Sequence, residues 1–171
     1  MRLHPTTTPL DAATSPTFVA RRQTEQRFSA TTLIDASRLA EGAQAGITAY
    51  AAPLNHYDVI IERKDGKTFA KSSIRLGALT HIGQPIELKS PQTYLRISSD
   101  KDYYYMQVSP DGQSFTTLAK MDFRYLSTEV IGGFTGVMLG LFAQFSPSTA
   151  PSTVPSNNTP ADFDWFEYTT E

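Results

Sequence analysis

The side chains able to do covalent or acid–base chemistry are few and poorly spaced for it. Cysteine is absent from the 171 residues, which removes thiolate nucleophiles, disulfides, zinc–thiolate sites and iron–sulfur clusters together. No Gly-x-Ser-x-Gly elbow occurs. The three histidines, His4, His56 and His81, show neither His-x-His nor i,i+4 ligand spacing. His4 falls in the N-terminal lead-in and His56 at a turn before a strand. Paired carboxylates are the usual apparatus of glycoside hydrolysis. Asp162 and Asp164 stand two apart on an expected strand and so share a face, while Asp100 and Asp102 share a turn. Asp162 and Asp164 suit either a calcium ion, which takes several hard oxygens, or a solvated acidic edge. No Asp-x-Asp-x-Asp-Gly calcium loop is present, and no other cofactor is expected.

Aromatic faces offer a second route to ligands, because they stack on the CH groups of sugars. In Tyr103-Tyr104-Tyr105 alternation puts two tyrosines on one strand face and one on the other. Tyr103 and Tyr105 are therefore candidates for sugar stacking, with burial in a core as the other use open to them. Trp165, the single tryptophan, stands between Phe163 and Phe166. Phe134 is set between Gly132-Gly133 and Gly136, in a turn, where a large apolar side chain can dock into a neighbouring pocket or enter the core.

The elements that must position these residues are short strands. Phe28–Asp35, Ala45–Ala51, Tyr57–Arg63, Tyr94–Ser98, Tyr103–Ser109, Val137–Ala143 and Phe163–Tyr168 are β-branched or aromatic runs bounded by turn residues. Asp65-Gly66 and Pro110-Asp111-Gly112 carry tight-turn chemistry. Residues 36–44 and 122–129 could each make a helical turn, and no segment has a sustained helical stripe. Short strands at regular spacing predict an all-β fold, a jelly-roll-like sandwich of two antiparallel sheets. Residues 1–20, rich in Thr, Pro and Ala, read as an extended lead-in or linker, with the sandwich over 21–171. Residues 146–160 hold eleven Ser, Thr or Pro in fifteen positions, too polar and Pro-rich to pack a core, and so form a loop.

Composition narrows the partners. Fifteen Lys and Arg against seventeen Asp and Glu give a net charge of −2, without the basic excess of a nucleic-acid binder. No apolar run reaches the roughly eighteen residues of a membrane span. The first residues lack the apolar stretch of a secretory signal. A soluble protein, cytoplasmic or secreted, is expected, and the initial Met reads as an expression start.

Several stretches, in order from about residue 15 to the end, resemble the C-terminal module of glycoside hydrolase family 43 enzymes of the β-xylosidase and α-arabinofuranosidase type. They are Ser15–Gln23; Glu41-Gly42 with Ala45-Gly46-Ile47-Thr48, similar to a Glu-Gly-x-x-Ala-Gly-(Leu/Ile) segment; Asn55–Asp58; Tyr105–Gly112; Gly133–Gly136; and Ala161–Tyr168. The Ser/Thr/Pro insertion is longer than the pattern. The resemblance implies a concanavalin A-like jelly-roll sandwich that follows a catalytic β-propeller on the same polypeptide. It also implies that a loop of the sandwich helps close the propeller's substrate pocket with an aromatic residue, here Phe134. The expected function is that of an accessory module in degrading xylan or arabinan, not catalytic alone, whose ligands are xylo- or arabino-oligosaccharides. The alternative is a free-standing, lectin-like carbohydrate-binding domain.

Overall fold

A computed structural model describes residues 1–133, 136–147 and 159–170. Phe134 and most of the Ser/Thr/Pro loop, residues 148–158, lie outside the described residues. The described residues form thirteen strands: β1 (Arg2–Leu3), β2 (Thr17–Arg22), β3 (Arg27–Asp35), β4 (Ala43–Ala52), β5 (Asn55–Lys64), β6 (Lys67–Leu76), β7 (Leu79–Ile82), β8 (Ile86–Glu87), β9 (Gln92–Asp100), β10 (Tyr103–Ser109), β11 (Thr116–Asp122), β12 (Met138–Phe145) and β13 (Ala161–Thr170). One 3₁₀ turn (Phe123–Leu126) and one helical turn, α1 (Thr128–Ile131), follow β11. The first expected helical turn, over 36–44, is a turn that runs into β4.

Two antiparallel sheets stack face to face, in the orders β1-β13-β3-β9-β10-β11 and β2-β12-β4-β5-β6-β7, with β8 on the edge of β6. Alternation fills the space between them. Ala43, Ala45, Ile47 and Ala49 of β4, Tyr57, Val59 and Ile61 of β5, and Leu139 and Leu141 of β12 meet Ile34, Leu95, Ile97, Tyr104 and Met106 of the other sheet in one core. Tyr104 stacks flat on Phe123 at 5.0 Å and meets Phe28 and Tyr57 edge-on. This stacking anchors the 3₁₀ turn to the sandwich.

The Glu41-Gly42-x-x-Ala45-Gly46-Ile47 segment serves the turn and sheet geometry. Asp65 and Gly66 both hold positive φ (52° and 73°), the type I′ hairpin that joins β5 to β6. The Glu41 carboxylate accepts from the amides of Asp65 and Gly66 and so caps that hairpin. Gly42 takes φ 74°, a conformation favoured by glycine. Ala45 and Ile47 are core, and Gly46 lets β4 and β5 approach closely.

Residues 1–16 are laid against the sandwich. β1 pairs with β13, Phe145 donates its amide to the Thr6 carbonyl (2.8 Å), and Leu10 is buried with Ile60 and Phe142. This strap covers part of the outer face of the seven-stranded sheet, so β4, β5 and β12 are buried on both sides. Polar residues that alternation points outward, among them Gln44, Thr48, His56, Asp58 and Gln144, therefore lie inside.

Candidate functional site

Two regions concentrate chemistry, one at an end of the sandwich and one on the outer face of the seven-stranded sheet. The end is built where β5 begins, β6 closes, β7 begins and β11 runs into the 3₁₀ turn. Strand register ties these together, through Ala52 opposite Asn55, Asn55 opposite Leu76, Leu76 opposite Leu79, and Tyr103 opposite Asp122. The Tyr57 hydroxyl donates to the Asp122 carbonyl (3.2 Å) and links the two sheets there. Asp122 caps the 3₁₀ turn by accepting from the Arg124 amide (2.8 Å). The Arg124 guanidinium beside it lowers the Asp122 carboxyl to about 2. α1 then ends on Gly132, whose amide bonds the Thr128 carbonyl, and Gly132 and Gly133 hold φ 81° and 73°. Phe134 follows these glycines in the sequence.

This end is unusually apolar for a surface. Leu79 is 75% exposed and Val130 55%, and Leu54, Tyr103 and Tyr125 are exposed as well. Leu76, Leu79, Leu118 and Met121 line a shallow groove of about 630 Å³ between β7 and β11. Large exposed apolar clusters on a soluble domain mark contact surfaces.

Tyr103 and Tyr105 both face outward from the six-stranded sheet, while Tyr104 enters the core. The Lys120 ammonium lies over the Tyr103 ring (3.6 Å) and farther from that of Tyr105 (5.4 Å), a cation–π contact that occupies part of the tyrosine pair. The Tyr105 hydroxyl donates to Asp100 (2.5 Å), whose other oxygen accepts from the amides of Asp102 and Tyr103. The Asp100–Asp102 turn is thus a hydrogen-bonded cap. Asp162 is gripped by Arg2 through two hydrogen bonds of 2.6 and 3.1 Å, which hold its carboxyl below its usual range. Asp164 is exposed next to it. A calcium ion at Asp162 and Asp164 would have to displace Arg2. Among the described residues no three His, Asp or Glu side chains converge as a metal cluster.

The second region was invisible to motif reading. His56 lies inside β5, not at a turn before it, and is buried. Its Nδ1 bonds both oxygens of Asp58 (3.0 and 2.9 Å) and its ring stacks on Tyr50. Cross-strand register sets Tyr50, His56, Arg75 and Thr80 in one row across four strands, with Thr48, Asp58, Ser73 and Ile82 in the next. A relay of hydrogen bonds borders them, from the Leu10 amide to Gln144, from Gln144 to Gln44, from Gln44 to Glu62, and from Lys71 to Glu62. The available signal was alternation in β5. His56, Asp58 and Glu62 alternate with Tyr57, Val59 and Ile61, and only the strap makes their face an interior.

Burial disfavours the charged form of His56, but Asp58, with a further pull from Asp11, outweighs it, and the net shift is upward. A histidine raised above its unfolded value of about 6.5 contributes stability fully present below that pH, and this is lost as pH rises through the folded value. His56→Asn should therefore lower Tm most in mild acid, and the difference from the parent chain should shrink on going to about pH 9. Thermal melts across that range check this. A difference that grows with pH would overturn the assignment.

A family model described as the β-xylosidase C-terminal concanavalin A-like domain matches residues 1–169. A non-reducing end α-L-arabinofuranosidase of Bacteroides ovatus is 30% identical over 157 residues, covering 90% of this chain and 28% of that protein. The solved structure titled Bacteroides ovatus Xyloglucan PUL GH43B superposes with a TM-score of 0.85 at 27% identity, covering 99% of this chain and 32% of that chain. A xylan β-1,4-xylosidase of Bacillus halodurans shares the fold with a TM-score of 0.82 at 21% identity, again over 99% of this chain and 32% of that one. The chain thus spans about a third or less of the length of these relatives. With two stacked antiparallel sheets and a matching family model over nearly its whole length, the chain belongs to the concanavalin A-like C-terminal domains of family 43 β-xylosidases.

Proposed function

We propose that this module packs, by its apolar end, on a catalytic β-propeller carried by the same polypeptide, and that Phe134 helps close the propeller's substrate pocket. The observation that supports this most is the clustering of exposed apolar side chains at that end. Of ten large apolar side chains exposed among the described residues, Leu54, Leu79, Tyr103, Tyr125 and Val130 lie there, beside the Gly132-Gly133 turn that leads to Phe134. The relatives' greater length leaves room for the catalytic part. The relatives named as an arabinofuranosidase and a xylosidase support short xylo- or arabino-oligosaccharides as the substrate.

In this role the module moves no proton. An aromatic wall excludes water and ends the pocket behind the terminal sugars, which favours exo-cleavage over attack along a polymer. Phe134→Ala in the full-length polypeptide should lower kcat/KM on pentose oligosaccharides about tenfold, on the order of 1.4 kcal/mol of transition-state stabilisation. The pH profile should stay unchanged, because the acids that act lie elsewhere. Unaltered KM and kcat would rule the closure out.

A further inference from the structure

Between the strap and the seven-stranded sheet lies a partly open cavity of about 250 Å³ whose lining includes Asp11, His56, Asp58, Ile60, Arg75 and Phe142. It lies on the outer face of the seven-stranded sheet, and its residues His56, Arg75 and Thr80 adjoin Asn55, Leu76 and Leu79 of the apolar end. Three features of this cavity call for a ligand of definite chemistry. First, His56 Nε2 and Arg75 Nε, on side chains directly opposite each other across β5 and β6, are buried and have no hydrogen-bond partner among the described residues. Unpaired buried polar nitrogens are costly, and oxygen atoms are what they lack. Secondly, two carboxylates, Asp11 and Asp58, share the same lining and accept hydrogen bonds only. Thirdly, Ile60 and Phe142, packed with Leu10, give the lining an apolar side.

Charge narrows the choice. Asp11 and Asp58 line this cavity with His56, Arg75 and Lys71, and Lys71 is ion-paired with Glu62 behind it, so with the imidazole protonated the charges balance. An anion would meet two carboxylates, and a cation would meet the guanidinium and the ammonium. A neutral molecule with adjacent hydroxyls meets neither difficulty. Each hydroxyl both donates and accepts, so it can satisfy an aspartate on one side and Arg75 or His56 on the other. Its CH face suits Ile60 and Phe142. The volume falls below the roughly 300–1,000 Å³ of drug-sized sites, which suits one sugar ring and excludes a chain.

We propose that this cavity binds a single neutral monosaccharide ring under the residue 10–11 strap, with Arg75 and His56 donating to its hydroxyl oxygens and Asp11 and Asp58 accepting from its hydroxyls. The test is to titrate the chain with D-xylose, L-arabinose, D-glucose and, separately, inorganic phosphate, by calorimetry and by backbone amide NMR shifts. At least one sugar should bind saturably with a millimolar Kd and shift the amides of Asp11, His56 and Arg75. Arg75→Lys keeps the charge but removes Nε, and Asp11→Asn alters only the strap. Each should weaken binding about tenfold, the worth of one good hydrogen bond. Both variants should keep the parent Tm within a few degrees, and Asp11→Asn, on a partly exposed residue, keeps the test valid if Arg75→Lys unfolds. Lys120→Ala, on the opposite sheet, should bind like the parent. Absence of saturable sugar binding, binding of phosphate in place of sugar, shifts centred on Tyr103 and Tyr105, or unchanged affinity in the folded Asp11→Asn variant would each overturn the proposal. The Phe134 kinetics of the full-length polypeptide would be untouched by any of these results.

Discussion

Gly46→Ala is expected to abolish folding. A Cβ at this position would sit 1.9 Å from the Val59 carbonyl oxygen, 3.0 Å from its carbon and 3.2 Å from the Ile60 Cα. All three are backbone atoms, so no side-chain rotation relieves the clash. Strand separation cannot relieve it either, because β4 is held between β12 and β5, and β5 in turn by β6. Moving β4 away from β5 would break the ladder on both sides of Gly46 and open the core at Ala45 and Ile47, which are fully buried. Overpacking by a few methylenes ordinarily costs about 1–3 kcal/mol, and a backbone clash at the middle of a central sheet should exceed that. Domains of this size have only about 5–15 kcal/mol in total. Gly66→Ala is the control for the loss of a glycine without a clash. Gly66 holds φ 73° with nothing within 4 Å of an added Cβ, so its replacement should cost about 1 kcal/mol through backbone conformation alone. Soluble expression and denaturant titration of both variants check the pair. A Gly46→Ala chain as stable as Gly66→Ala would show that β4 and β5 can separate.

Much of the fold was legible because single residues carry it. Asp65-Gly66 announces a type I′ hairpin, and its positive φ values follow from the twist that joins two antiparallel strands. Tyr103-Tyr104-Tyr105 divides its side chains between two faces because strands have a period of two. The family segment around Glu41 and Gly46 could be recognised as a pattern. Its physical content, a carboxylate on a distant hairpin and a close approach of strands, needs the fold to be seen. What escaped was everything that depends on the strap. His56 has its hydrogen-bond partner Asp58 two residues away, but Asp11 and Arg75, which complete its surroundings, arrive from other segments. Arg2 and Asp162 are 160 residues apart, so nothing near Asp162 in sequence tells that its charge is already matched. Trp165 sits beside a bulge in β13, between Phe163 and Phe166, which breaks the alternation that would have placed it. Local patterns report one face of one strand, whereas these sites are joined by long-range pairing.

If the module packs on a catalytic domain by its apolar end, placing charges there should separate the two. Leu79→Asp combined with Val130→Asp adds two carboxylates to side chains that are among the most exposed in the isolated module. Neither packs in the core, so the module's own Tm should change little. If that end is buried against a catalytic domain, the same carboxylates lose water without gaining partners, and a buried unpaired charge is far more costly than the contact it replaces. The domains would then sit apart or shift, and misplacement of a pocket wall by about 1 Å can cost on the order of a hundredfold in rate. The double variant should accordingly lose more kcat/KM than Phe134→Ala, since the substitution displaces the whole wall where Phe134→Ala removes one side chain. It should also expose the interdomain connection to protease. Two further variants locate the effect. Lys67→Asp, exposed at the far end of β6 from Leu76, should leave the kinetics unchanged, and Leu79→Met should behave as the parent. A double aspartate variant with parental kinetics and parental resistance to protease would mean that the propeller docks elsewhere on the sandwich, and the apolar end would then lose its place in the closure of the substrate pocket.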